Sequence, residues 1–129
     1  MSLKSEDLGY QAFRILQFAF VVAPILAGLD KFFNLMTDWS QYLSLFVFNI
    51  IGGHAHALMM AVGIVEIIAG IGTLLKPQVF GYIVALWLLA IIINLLLTGA
   101  YYDIALRDFG LGLGALAMAK LSKKYLVRS

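Results

Sequence analysis

Cysteine is absent from the 129 residues. That excludes a structural disulfide, a CxxC redox pair, an iron–sulfur cluster and thiolate metal ligation. Any redox chemistry must then use a bound organic cofactor or take place on a partner. Charge is scarce as well: Asp, Glu, Lys and Arg together make up 12% of the chain, about half the usual share. The net charge is +2, and no basic stripe interleaved with aromatics marks a nucleic-acid partner. Proline occurs only at positions 24 and 77. No internal repeat is visible, so the broken-helix pattern of carriers is weakly represented.

What fills the chain instead is apolar: 63% of the residues, against ~45–50% in a typical soluble domain. A water-soluble fold of this size has too large a surface-to-volume ratio to hide that much apolar surface. Lipid is the remaining solvent. A helix crossing the hydrocarbon core needs roughly 20 residues, and four segments meet that length, at about 12–29, 56–75, 79–98 and 104–121. The expectation is one all-α domain over residues 1–129, an integral membrane antiparallel bundle of four transmembrane helices. The polar lead with Glu6 and Asp7, and the lack of a small-residue cleavage site near Leu29, read as a retained first span rather than a cleaved signal.

The connections differ in kind. Lys76-Pro77-Gln78 makes a tight hairpin, because Pro77 cannot continue the preceding helix. A second short turn runs from Thr98 to Tyr102, with Asp103 placed to cap the fourth span. The first loop, about 32–55, is longer and carries the run Leu45-Phe46-Val47-Phe48, too short to cross and better suited to a re-entrant or interfacial segment. Four spans place Lys4, Arg14, Lys76, Lys120, Lys123, Lys124 and Arg128 on one side, and only Lys31 and Arg107 on the other. By the positive-inside rule both termini are cytoplasmic and the first loop faces outward.

Ionisable groups inside a span are costly, so each needs a partner or a purpose. Glu66 falls on one helical stripe with Gly63, Gly70 and Thr73, where small residues let another helix approach. It is read either as a proton carrier or ligand-head contact, or as a structural partner of Arg14. Arg107 shares a face with Gly110 and Gly114 and stands four residues after Asp103, an i,i+4 pair in the favourable order. Arg107 and Asp108 either line an outer cavity with Asp30, Lys31 and Asn34 or pair locally. Arg14 and Asp103 are read as structural buried polar residues. Asn94 lies in the outer half of the third span. His54 and His56 are two apart and point to different sides of a helix, a poor metal pair. No haem, metal or iron–sulfur site is expected. Pro24 is expected to bend the first span.

Arg14, the run Gly28-Leu29-Asp30-Lys31, Glu66 with Gly70, and Arg107-Asp108 leading a Gly/Ala-rich last helix together resemble the DoxX family of small four-helix bacterial membrane proteins. The resemblance covers most of the chain, from about 14 to 121. It implies residence in the bacterial cytoplasmic (inner) membrane. Members include the DoxD-like subunit of a thiosulfate:quinone oxidoreductase and membrane partners of other redox enzymes, and Arg14, Lys31 and Glu66 match the family's recurring polar positions. The function expected from it is a subunit that binds quinone or couples a partner oxidoreductase to the quinone pool, rather than a complete enzyme. Gaps beside Gly70 and Gly114 offer a slot for the tail, and Glu66, Arg107, Asp108, His56, Asn94 and Lys31 are the candidates for head-group contact or proton relay. Two alternatives stay open: a non-catalytic accessory subunit, in contact with a membrane-protein partner or a second copy, and a small-solute or proton carrier.

Overall fold

A computed structural model describes residues 7–125. Five α-helices follow one another: α1 (Leu8–Phe33), α2 (Leu45–Ile51), α3 (Ala55–Leu75), α4 (Pro77–Thr98) and α5 (Tyr102–Tyr125), with one 3-10 turn at Trp39–Tyr42 before α2. The described residues hold no strand. The four long helices cover the four expected segments and extend each of them by a few residues at one or both ends. Of these, α1, α3 and α4 are long and apolar enough to cross a membrane. Lys4 and Arg128, which entered the charge count above, lie outside the described residues.

The helix ends follow from local chemistry. Asp7 caps α1 by accepting the Gly9 N–H at 2.8 Å. That bond, with the Tyr125 hydroxyl donating to the other carboxylate oxygen at 3.0 Å, holds the Asp7 carboxyl below its ordinary pKa. α1 runs uninterrupted through Pro24 and stops at Asn34, which takes the left-handed conformation at φ 52°. α3 gives way to α4 at Lys76, with Pro77 in the first turn of the new helix. Gly99 ends α4 at φ 72°, a conformation open to a residue without Cβ.

Packing is most extensive between α1 and α3 and between α4 and α5, and less so between α1 and α5 and between α3 and α4. The helices therefore form a ring in the order α3, α1, α5, α4. The shortest connection, between α3 and α4, does not make the largest contact, although short loops favour neighbouring helices. Phe13, Phe20, Ala69, Val84, Ala115, Met118 and Tyr125 form the interior. The outward faces are apolar too: Phe18 is 70% exposed and Leu86 68%. Helices that are apolar all round suit a lipid bilayer rather than water.

The closest approach is between α1 and α3. A Cβ built on Gly28 would stand 2.5 Å from the Gly63 carbonyl oxygen, and one on Gly63 would stand 2.6 Å from that of Gly28. Two backbones can touch in this way only when both positions lack a side chain. Gly63→Leu is therefore expected to push α1 and α3 apart and destabilise the bundle by about 1–3 kcal/mol, the usual scale of overpacking. Gly110→Leu, where nothing lies within 4 Å, should leave the melting temperature in detergent unchanged. Equal losses in the two variants would refute a limiting role for the crossing.

Candidate functional site

The glycine crossing decides where the charges meet. Lys31 lies three residues after Gly28 and Glu66 three after Gly63. A Cβ on Gly63 would be 3.2 Å from Lys31 Cβ, and one on Gly28 would be 3.3 Å from Glu66 Cβ. Each charged side chain thus leaves its helix beside the opposite glycine. Lys31 Nζ sits 2.5 Å from Glu66 Oε1, and the two side chains are 6% and 13% exposed. The contact is an ion pair, and Oε1 accepts no aligned hydrogen bond beside it.

The first loop closes this pair. The Lys31 ammonium lies 3.8 Å from the centroid of the Trp39 ring, a cation–π contact. Asp30 fixes the indole in place. Its Oδ2 accepts Trp39 Nε1–H at 2.8 Å and the Met36 N–H at 3.0 Å, while Oδ1 accepts the Leu35 N–H at 2.9 Å. The middle of the loop is held by Asn94, whose Nδ2 donates to the Tyr42 carbonyl at 2.7 Å and whose Oδ1 accepts the Ser44 N–H at 3.0 Å. Tyr42 also meets Tyr101 edge to face at 4.8 Å. Ser44 then caps α2 by accepting the Val47 N–H.

Asp108 is buried on the inward face of α5 and is close enough to act electrostatically on Glu66. Its nearest cation is its own neighbour: Arg107 Nη2 lies 3.1 Å from Asp108 Oδ1.

Lys31 and Glu66 thus meet in the interior, Asp108 is buried on α5 beside Arg107, and the other candidates lie elsewhere. Arg14 was expected to be buried and to be a possible partner of Glu66. It is exposed instead, and bonds to the Tyr10 hydroxyl at 2.8 Å and Gln17 Oε1 at 2.5 Å. Its long stem reaches polar groups one turn away without entering the bundle. Asp103 was also expected to be buried. It is exposed in the first turn of α5, and Arg107 turns to Asp108 rather than to it. The face shared by Arg107 and Gly110 looks outward: the Arg107 side chain is 65% exposed. Ala105, Asp108, Ala115, Met118 and Ala119 supply the inward face. His56 and His54 are exposed at the start of α3. Asn94 is occupied by the loop. The gaps expected beside Gly70 and Gly114 are filled, the first by Ile25 and the Val21 carbonyl, the second by Phe20 and Leu16.

Two residues gain roles that spacing alone did not give them. Trp39 covers the ammonium, and no periodicity could place a loop side chain there. Gln17 is buried and donates through Nε2 to the Thr73 and Leu74 carbonyls at 3.3 and 3.2 Å. It satisfies the C-terminal end of α3, and Arg14 behind it adds positive charge at that negative helix end. The i,i+3 spacing of Arg14 and Gln17 was the available signal.

Glu66→Gln removes the partner of a buried ammonium, which typically costs about 3–5 kcal/mol. The loss should appear as a lower melting temperature of the detergent-solubilised chain. Lys31→Met combined with Glu66→Leu should regain most of it, because no unpaired charge is left inside. A double variant no more stable than Glu66→Gln would show that the pair is not the cause. No family model, curated protein or solved structure matches the chain, so the reading of this cluster rests on its own geometry.

Proposed function

We propose that the chain is a DoxX-like protein of the bacterial inner membrane, with four spans and both termini cytoplasmic, that works as the membrane subunit of a quinone-linked redox partner. The observation that carries this reading is the buried Lys31–Glu66 pair under Trp39. Glu66 lies about 16 Å along α3 from its start, at 1.5 Å per residue, roughly half of a ~30 Å hydrocarbon core. Charges at that depth are retained for a use. Lys31 supplies a donor for a quinone oxygen, and Glu66 supplies a group that exchanges protons. Reduction of a quinone to the quinol takes two electrons and two protons. The electrons come from the partner, and the carboxylates Glu66 and Asp108 pass protons. Because the gaps beside Gly70 and Gly114 are filled, the head group approaches from the outer end, beneath Trp39.

The fourth span in this reading is α5. It falls short on apolar character because its charges gather at both ends: Asp103, Arg107 and Asp108 at one, Lys120, Lys123 and Lys124 at the other. Its middle is Gly- and Ala-rich and packs along α4, with a Cβ on Gly81 only 2.7 Å from Ala119 Cβ. Small residues supply the close packing that helices in lipid need.

A non-catalytic accessory role is the second reading. It is favoured by the polar groups that serve only to hold the bundle together, Gln17 on α3 and Asn94 on the loop. Nanodiscs loaded with ubiquinone separate the two. On the first reading the wild-type chain retains quinone through size exclusion and Lys31→Met loses it, by about tenfold for one lost charge-assisted hydrogen bond. Equal retention by both chains, together with tight co-purification with a larger complex, would favour the accessory role. A reporter fused at the C-terminus should stay cytoplasmic, and its export would overturn the four-span topology.

A further inference from the structure

Lys31 is only 5% exposed, yet nothing in the stretch that covers it is buried: every residue from 34 to 43 is exposed or half-buried. A segment with no core of its own is held by its polar contacts, and such segments open at far lower cost than packed helices. Those contacts are unevenly placed. At one end the Leu35 and Met36 N–H groups donate to Asp30. At the other, Asn94 holds the Tyr42 carbonyl and the Ser44 N–H. Residues 37–41, between these anchors, bond mostly to one another. Gln41 Nε2 donates to Thr37 Oγ1 at 2.6 Å, and the Ser40 hydroxyl donates to Asp38 Oδ1 at 2.7 Å. The Gln41 N–H donates to the Asp38 carbonyl at 3.2 Å. Among the described residues, their one hydrogen bond to a helix of the bundle runs from Trp39 Nε1 to Asp30 Oδ2.

The same indole covers the Lys31 ammonium. One side chain therefore both fastens the stretch and seals the charge beneath it. The acceptor and the sealed cation are consecutive residues of α1. Consecutive helical side chains point about 100° apart, so Asp30 can face the loop while Lys31 reaches Glu66 on α3.

We propose that residues 37–41 are a gate over the Lys31–Glu66 pair, with Trp39 as its leaf and Asp30 as its latch. Opening breaks one hydrogen bond and one cation–π contact, and it leaves both anchors and the bundle intact. Asp30 is then a positioning residue, which acts on Lys31 through Trp39. The redox reading above places a ligand on Lys31 beneath Trp39 and needs such an opening. The gate rests on that reading only for its use: opening is a property of the chain and is measured without quinone, so either can fail alone.

Acetylation of the full detergent-solubilised chain by an N-hydroxysuccinimide ester, followed by peptide mass spectrometry, reads the opening. The exposed Lys76 is the reference. In the wild-type chain Lys31 should react far more slowly than Lys76. Trp39→Phe keeps a ring over the ammonium but removes the indole N–H. It should raise the Lys31 rate relative to Lys76 about tenfold, the scale of one hydrogen bond to a charged group. Asp30→Asn should act in the same direction. Gln17→Ala weakens the bundle at the end away from the first loop, so it should lower the melting temperature and leave the Lys31 rate unchanged. Equal rates at Lys31 and Lys76 in the wild-type chain would overturn the gate, as would an unchanged Lys31 rate in both Trp39→Phe and Asp30→Asn. A faster Lys31 in Gln17→Ala would also overturn it, because the lysine would then be reached by unfolding of the bundle.

Discussion

Two helix backbones touch at Gly28 and Gly63, and the buried charges are arranged around that contact. Side chains on either glycine would hold α1 and α3 apart, and Lys31 and Glu66 would no longer share a position. The order of causes runs from sequence to chemistry. Glycine at two positions permits the crossing. The crossing sets the register. The register then places a lysine and a glutamate, each three residues past its glycine, where one neutralises the other. In a low-dielectric interior an ammonium and a carboxylate are tolerated together and are very costly apart. The pair therefore fixes the register that the glycines permit, and each feature needs the other.

The first loop extends the same logic. A tryptophan over an ammonium is worth most when water is excluded, and Asp30 holds the ring where it excludes water. Asp30 can do this because α1 ends in a left-handed Asn34, which turns the chain back over its own last turn. Asn94 secures the loop just before α2 from α4. The stretch between Asn34 and Ser44, which holds only one 3-10 turn, thereby becomes a cover anchored at both ends, ahead of the seven-residue α2.

The sequence made the helices legible because lipid imposes a simple rule on length and polarity, and the four long apolar segments all became helices. The stripe of Gly63, Glu66, Gly70 and Thr73 was equally legible: small residues around one carboxylate mark a packed face at helical spacing, and Gly63, Gly70 and Thr73 are buried. The partner of Glu66 was not legible. Arg14 and Lys31 are both cations on α1, and choosing between them requires the α1–α3 register, which arises from contact between two backbones. The inward face of α5 was misjudged for a related reason. Gly110 and Gly114 resembled a packing stripe, but only Gly114 meets a neighbour, Phe20, while Ala105, Ala115 and Ala119 are buried, and Asp108 goes inward with them. Glycine is a good sign of close approach only where something approaches, and near Gly110 nothing does.

The two ends of the bundle are held by different means, and this bears on where a ligand can enter. At the end away from the first loop α1 is tied to α5 by the Asp7–Tyr125 hydrogen bond and to α3 by Gln17 on the Thr73 and Leu74 carbonyls. The start of α4 has no side-chain cap: Pro77 brings no N–H there, and the Lys76 carbonyl accepts the Val79 and Phe80 N–H groups. Beneath the first loop, Lys31 is already matched by Glu66 and covered by Trp39. A ligand entering there must therefore displace or share existing interactions, and its binding will depend on the strength of that cover.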